Sequence, residues 1–201
     1  MRKIIVSIHS ALNGVVTGPA DDETNFMTWA LAGIEDSLKG FSKNFDTVDT
    51  ILLGRKTYED LSRKWPFVKD WPDVDEAALR LGEVVNRTPK IIVAGKHKVE
   101  NPKWGVFEAP TQLTGSNIEA QLKALKEQAG RDIITFGSPT LVQSLTNANL
   151  VDQYRIIVHP VVVDEGKRLF DNIVGRKDLK LSRTHTFEHG AMLVCYELVK
   201  A

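Results

Sequence analysis

Three times in this chain a short aliphatic run ends on a glycine and passes, without a spacer, into residues that favour a turn or a helix. The segments are "TILLGRKTYEDL" around Gly54, "KIIVAGKHK" around Gly95 and "DIITFGSPTLVQSL" around Gly137. A β-branched run that stops on glycine and reopens with three- and four-residue apolar spacing is a strand-to-helix junction. Repeating that junction commits a chain to strands and helices alternating around a mainly parallel sheet.

The rest of the pattern fits. Strands are expected at "KIIVSIH", "TILLG", "KIIVAG", "WGVFEA", "DIITFG", "QYRIIVHPVVV", "LKLSRTHTF" and "AMLVCYELV", about eight in all. Helices are expected at "NFMTWALAGIEDSLKGF", "RKTYEDLSRKW", "VDEAALRLGEVVNR", "NIEAQLKALKEQAG" and "PTLVQSLTNA". Asn117 stands as a cap before Ile118 and Glu119, Pro139 sits in a first turn, and Gly130 follows the fourth helical stretch. The last ~50 residues are strands only, which predicts an antiparallel hairpin closing the sheet. With no internal repeat, low-complexity tract or Ser/Gly-rich linker, residues 1–201 are expected to form one domain.

Lys plus Arg and Asp plus Glu both number 26. That balance gives no overall basic field for nucleic acid or an anionic membrane, so any anion site must be local. The start "MRKIIVSIHSALNG" imitates a signal peptide, but Ser7, His9 and Ser10 interrupt its apolar run. No other stretch approaches the length of a membrane span. A cytoplasmic protein acting on a small molecule is expected, with neither nucleic acid nor membrane as partner. The lone Cys195 lies in an alternating apolar run and reads as a buried strand residue rather than a reactive thiol.

All three junctions lie where strands end, and in open α/β sheets ligands gather outside those carboxyl ends. Glycine there lets a backbone approach closely, and the N–H groups opening a helix face an anion. Arg55, Lys56, Lys96 and Lys98 add local positive charge, which suits several phosphates and the extra 2′-phosphate that separates NADP from NAD. A solvated basic loop is the competing reading of each cluster taken singly. Neither GxGxxG, a complete P-loop nor a GxSxG elbow is present. "HTFEH", His185 to His189, spells an inverted zinc-protease motif, but its surroundings alternate like a strand, whereas the motif needs a helix. His9 and His159 read as satisfied or edge histidines within strands. Asn86-Arg-Thr is a glycosylation sequon by spelling only.

The ordered set "KIIVSIHSALNGVVTGP", "TILLGRKTYEDL", "KIIVAGKH", "DIITFGSPTLVQSL" and "VDQYRIIVHPVVVDEGKRLF", followed by a hairpin, resembles the dihydrofolate reductase-like family that includes the riboflavin-biosynthesis reductase domain. The resemblance implies a three-layer α/β fold with helices on both faces of the sheet, and NADPH as cofactor lying across the strand ends. It implies that Asn13 and Gly14 belong to a mobile loop closing on the nicotinamide. Gly54, Arg55, Lys56 and Thr57 would hold phosphates, and Gly95, Lys96 and His97 would face the adenosine ribose and its 2′-phosphate. Gly137, Ser138, Pro139, Thr140 and Leu141 would lie by the pyrophosphate and nicotinamide. The family's frequent Ser-Arg-Thr after the third strand is Gly95-Lys96-His97 here, a departure that bears on NADP against NAD. Related reductase domains often pair, so a homodimer is also implied.

Reduction also needs a proton source. The resemblance points to a carboxylate on the first helix, where Glu35 and Asp36 are adjacent and so point ~100° apart. Asp36 lies nearer the family's position and is the catalytic candidate, with a solvated helix face explaining both equally well. Phe26 and Trp29 could floor an aromatic substrate, against core packing as the ordinary use of such residues. The expected activity is hydride transfer from NADPH to a pterin-like or ribosylaminopyrimidine-like molecule. The alternatives are a nucleotide-binding protein of the same fold without catalysis, and a zinc hydrolase.

Overall fold

The computed structural model describes residues 1–18, 27–30 and 45–199. Its strands are β1 (Ile4–Ala11), β2 (Val48–Gly54), β3 (Lys90–Gly95), β4 (Thr111–Thr114), β5 (Asp132–Phe136), β6 (Gln153–His159), β7 (Leu179–Thr186) and β8 (Met192–Leu198). The α-helices are α1 (Arg55–Lys64), α2 (Glu76–Arg87), α3 (Ile118–Glu127) and α4 (Pro139–Asn147), with 3-10 segments at Thr28–Ala30 and Trp65–Asp70. The strands run in the order β4-β3-β2-β5-β1-β6-β8-β7. Parallel ladders join β1 to β6, β2 to β3 and β3 to β4, while β8 runs antiparallel to both β6 and β7. A mainly parallel eight-stranded sheet with a C-terminal antiparallel hairpin is the expected architecture.

The chain divides into two compact units, Met1–Arg2 with Leu38–Ile134, and Lys3–Ser37 with Thr135–Ala201. In the first, β2 and β3 present Ile51, Leu52, Leu53 and Ile92 fully buried, the near-continuous apolar run that a parallel strand covered on both faces requires. α2 starts where Asp75 accepts the Ala78 N–H at 2.7 Å, satisfying a donor that the helix itself cannot. Near the start of β2, the buried Arg2 donates from Nη2 to the Asp49 carboxylate and to Thr50 Oγ1 at 2.6 Å, and from Nε to the Arg131 carbonyl at 2.6 Å. The other Asp49 oxygen accepts the Arg131 N–H at 2.7 Å.

In the second unit β1 is buried at every position but His9, which keeps partial exposure. Tyr154 on β6 is buried, and its hydroxyl meets Thr146 Oγ1 of α4 at 2.8 Å. Cys195 is buried on β8 as expected, and burial pushes its thiol up, away from reactivity.

The structure departs from expectation at several points. "WGVFEA" is not a strand, because Trp104 and Phe107 bridge only each other across a turn and the fourth strand is "TQLT" instead. The aromatic alternation there reflects the core: Trp104 is 1% exposed and its indole N–H donates to Asn86 Oδ1 at 2.7 Å. Asn86 is itself buried, with its Nδ2 donating to the Trp65 carbonyl at 2.9 Å, so the sequon is occupied by core bonding. β6 stops at His159 because Pro160 has no N–H to extend a ladder. Asn117 occupies the cap position of α3 without a capping bond from its side chain, and α3 ends at Glu127, before Gly130. The "HTFEH" histidines flank a hairpin turn, with His185 on β7 and the Gly190 N–H bonded to the Phe187 carbonyl. Of the first expected helix only residues 27–30 are described, with Thr28–Ala30 in a 3-10 turn.

Candidate functional site

In the first unit, α1 begins immediately where β2 ends. Gly54 holds its cap position, where it has no side chain to cap the helix, and no acidic residue lies in the first turn. By contrast, α2 and α3 carry Glu76 and Glu119 in their first turns, the usual answer to a helix's positive end. Arg55, the first residue of α1, pairs with Glu59 one turn on at 2.7 Å. Lys56 is exposed and Thr57 half-buried.

At the end of β3, Gly95 takes a left-handed conformation, φ +58, with open space where a Cβ would stand. The His97 N–H closes the turn on the Ala94 carbonyl at 3.0 Å. Lys96 and His97 project exposed, as does Lys98, whose ammonium comes 3.8 Å from Glu100. This donor set of backbone N–H groups, lysines and an arginine without carboxylates in the helix's first turn fits phosphate groups.

The second unit repeats the junction with sharper backbone geometry. After β5, Gly137 has φ +65 and Ser138 has φ +54, a left-handed conformation that costs a non-glycine residue about 1–2 kcal/mol. Pro139 then opens α4, again with no side-chain cap and no acid in the first turn. Ser138 and Leu141 are buried, Pro139 is half-buried and Thr140 is exposed.

The segment after β1 is tied down along its length in the same unit. Asn13 donates to the Val163 carbonyl at 2.6 Å, and the Gly14 carbonyl accepts the Leu169 N–H at 2.9 Å. Thr17 Oγ1 accepts the Lys167 N–H at 2.9 Å. Gly14 has φ +85 and nothing within 4 Å of the place a Cβ would take, so backbone conformation alone selects glycine there.

Beside this segment lies a cluster of rings. His9 Nδ1 is 2.8 Å from His159 Nε2. The indole of Trp29 meets His159 edge-on at 5.6 Å and donates from Nε1 to the Thr17 carbonyl at 3.2 Å. Burial and the neighbouring His159 lower the His9 pKa to about 3, and burial lowers that of His159. Both rings are therefore neutral at physiological pH. Asp36 and Phe26, the expected proton source and the second aromatic, lie outside the described residues.

Residues 2–194 match the model of the RibD C-terminal domain. The chain belongs to that family. Among curated proteins of similar sequence, the uncharacterized protein YyaP of Bacillus subtilis (strain 168) is 29% identical over 195 residues, which is 97% of this chain and 94% of that protein. A diaminohydroxyphosphoribosylaminopyrimidine deaminase/5-amino-6-(5-phosphoribosylamino)uracil reductase from Thermotoga maritima superposes with a TM-score of 0.67 at 15% identity, covering 98% of this chain and 57% of that one. Dihydrofolate reductase from Enterococcus faecalis, complexed with NADP(H), gives 0.55 at 14% identity over 98% of this chain and 97% of that one. At such identities the superpositions show a shared fold.

Sequence reasoning set the two histidines aside. Their pairing depends on the β1–β6 register, which sets Ala11 against His159 and His9 against Ile157 and so puts both imidazoles on one face. A contact between residues 150 positions apart leaves no local signal.

Proposed function

We propose that this RibD C-terminal domain protein is an NADPH-dependent reductase acting on a small pterin-like or ribosylaminopyrimidine-like molecule. The observation that carries this reading is that the helices opening at strand carboxyl ends, α1 after Gly54 and α4 after the Gly137–Ser138 turn, carry no acidic residue in their first turns. Such ends attract phosphate through backbone N–H groups and helix charge.

The cofactor would supply the hydride, and the chain's residues bind and orient. Gly54, Lys56 and Thr57 would take phosphate oxygens on backbone N–H, ammonium and hydroxyl groups, with Arg55 shared between the anion and Glu59. Lys96 and His97 would meet the 2′-phosphate. Gly137 would allow close backbone approach, and Ser138 would place its hydroxyl by the pyrophosphate. Asn13 and Gly14, held by Val163 and Leu169, would flank the nicotinamide, and Trp29 would face the aromatic substrate.

Incubating the chain with NADPH and either dihydrofolate or 5-amino-6-(5-phosphoribosylamino)uracil, and following nicotinamide absorbance, tests the reading. Loss of that absorbance with one of the two substrates supports it. Binding without oxidation would reassign the chain to nucleotide binding on the same fold.

A further inference from the structure

The ring cluster at the ends of β1 and β6 has a chemistry the cofactor does not supply. Hydride addition to a C=N bond leaves an electron pair on nitrogen, and that nitrogen must take a proton before the product is neutral. His9 and His159 stand on one face of a parallel ladder, at the carboxyl ends where ligands of such sheets gather. His9 keeps partial exposure, while His159 is 3% exposed beneath the Trp29 edge. The inner ring is thus fixed by packing and the outer ring is fixed by the inner.

A bond between two imidazole nitrogens requires one to donate and the other to accept. The pair can be neutral or singly protonated, but double protonation removes the acceptor and breaks the bond. In the singly protonated pair the Nδ1–Nε2 contact persists and the added proton can reside on His9 Nε2, the nitrogen turned away from His159. Among the described residues His159 is the charge acting on His9, and none acts on His159. Trp29, packed against His159, is uncharged, as is Thr17, whose carbonyl accepts the Trp29 indole N–H.

We infer that His9 is the catalytic proton donor of the reduction and that His159 is its positioning residue, holding the His9 ring through Nδ1 so that Nε2 meets the substrate. This role rests on the reductase reading above. NADPH would supply the hydride for the new C–H bond and would itself be oxidised to NADP⁺; as the C=N π pair moves to nitrogen, the His9 Nε2 proton forms the N–H bond, the histidine pair returns to neutral, and solvent restores its proton. Because burial disfavours the charged pair, turnover rises as pH falls toward the pair's own titration.

Two measurements test the role on the full chain. In a nitrogen-resolved NMR titration without cofactor, the two imidazoles should titrate as one coupled pair below the ordinary 6.5; two rings titrating independently near that value would overturn the assignment. In NADPH oxidation with the two substrates named above, H9Q should lower kcat by about 100-fold or more and abolish its rise toward low pH, with the NADPH Kd unchanged. H159Q, which removes only the anchor, should lower kcat while keeping the acid limb, and it stands in for H9Q if that variant is unfolded by circular dichroism. Turnover that survives either substitution with the wild-type rate and pH profile overturns this role and leaves the reductase reading intact. Failure of the wild-type chain to oxidise NADPH with either substrate overturns the reductase reading, and this role with it.

Discussion

The ammonium of Lys90 lies 4.6 Å from the centre of the Trp104 ring and donates to the carbonyls of Asn86 and Thr88 at 2.8 and 2.7 Å. Lys90 is 4% exposed, and burial lowers its pKa to about 8 from 10.5, opposed by the charge of Glu108. Since the folded pKa lies below the unfolded one, the unfolded chain binds more protons between those values. Folding stability from this group therefore rises with pH through that window. Urea unfolding should show a gain on the order of 2–3 kcal/mol between pH 8 and 10.5, and K90M should lose that pH dependence.

Asp49 joins Arg2, Thr50 and the Arg131 N–H. Burial pushes its carboxyl up, but the Arg131 and Thr50 hydrogen bonds and the Arg2 and Arg131 charges outweigh that, and the net shift is downward from 3.8. Its stabilisation is present above pH 3.8 and lost as pH falls through the lower folded value. D49N leaves the Arg2 guanidinium buried without a counter-charge and should cost about 2–3 kcal/mol at neutral pH, converging on wild type in acid titration. G130A, whose Cβ would come 2.9 Å from Asp49 Oδ2, should destabilise through the same knot.

Removing the Asn86 amide leaves the buried Trp104 indole N–H and the part-buried Trp65 carbonyl without the bonds it makes to them. N86A should cost about 2–4 kcal/mol, one to two unsatisfied polar groups, and change the near-UV tryptophan circular dichroism.

Ser138 holds a left-handed conformation that glycine adopts without penalty. S138G should leave stability unchanged or raise it by up to about 1 kcal/mol, while weakening NADPH as the hydroxyl is lost. A thermal melt beside a fluorescence titration would show the two effects moving apart. Weakened folding with unchanged binding would make Ser138 structural.

Arg55 is held along α1 by Glu59 at 2.7 Å. E59Q releases the guanidinium and should tighten NADPH, whereas R55A should weaken it. A larger effect on NADPH than on NADH assigns Arg55 to the 2′-phosphate, and equal effects assign it to the pyrophosphate.

What local pattern controls was legible in the sequence. β1, β2, β3 and β5 are aliphatic runs bounded by breakers, and α4 follows its Gly-Ser-Pro turn where expected. "WGVFEA" misled because an aromatic at alternating spacing looks alike whether it lies in a strand or plugs a core, as Trp104 does. The glycines of the three junctions were visible because they end apolar runs. The left-handed Ser138 was not, since serine rarely adopts that conformation. The His9–His159 bond and the Arg2–Asp49 knot arise from register and long-range packing, which spacing along one chain does not encode.

Titrating the full chain with NADPH, and separately with NADH, while following energy transfer from its tryptophans to the nicotinamide tests the central claim most directly. Saturable binding is expected with both, with NADPH held about tenfold more tightly, some 1.4 kcal/mol from the 2′-phosphate. No saturable binding of either nucleotide would contradict the account.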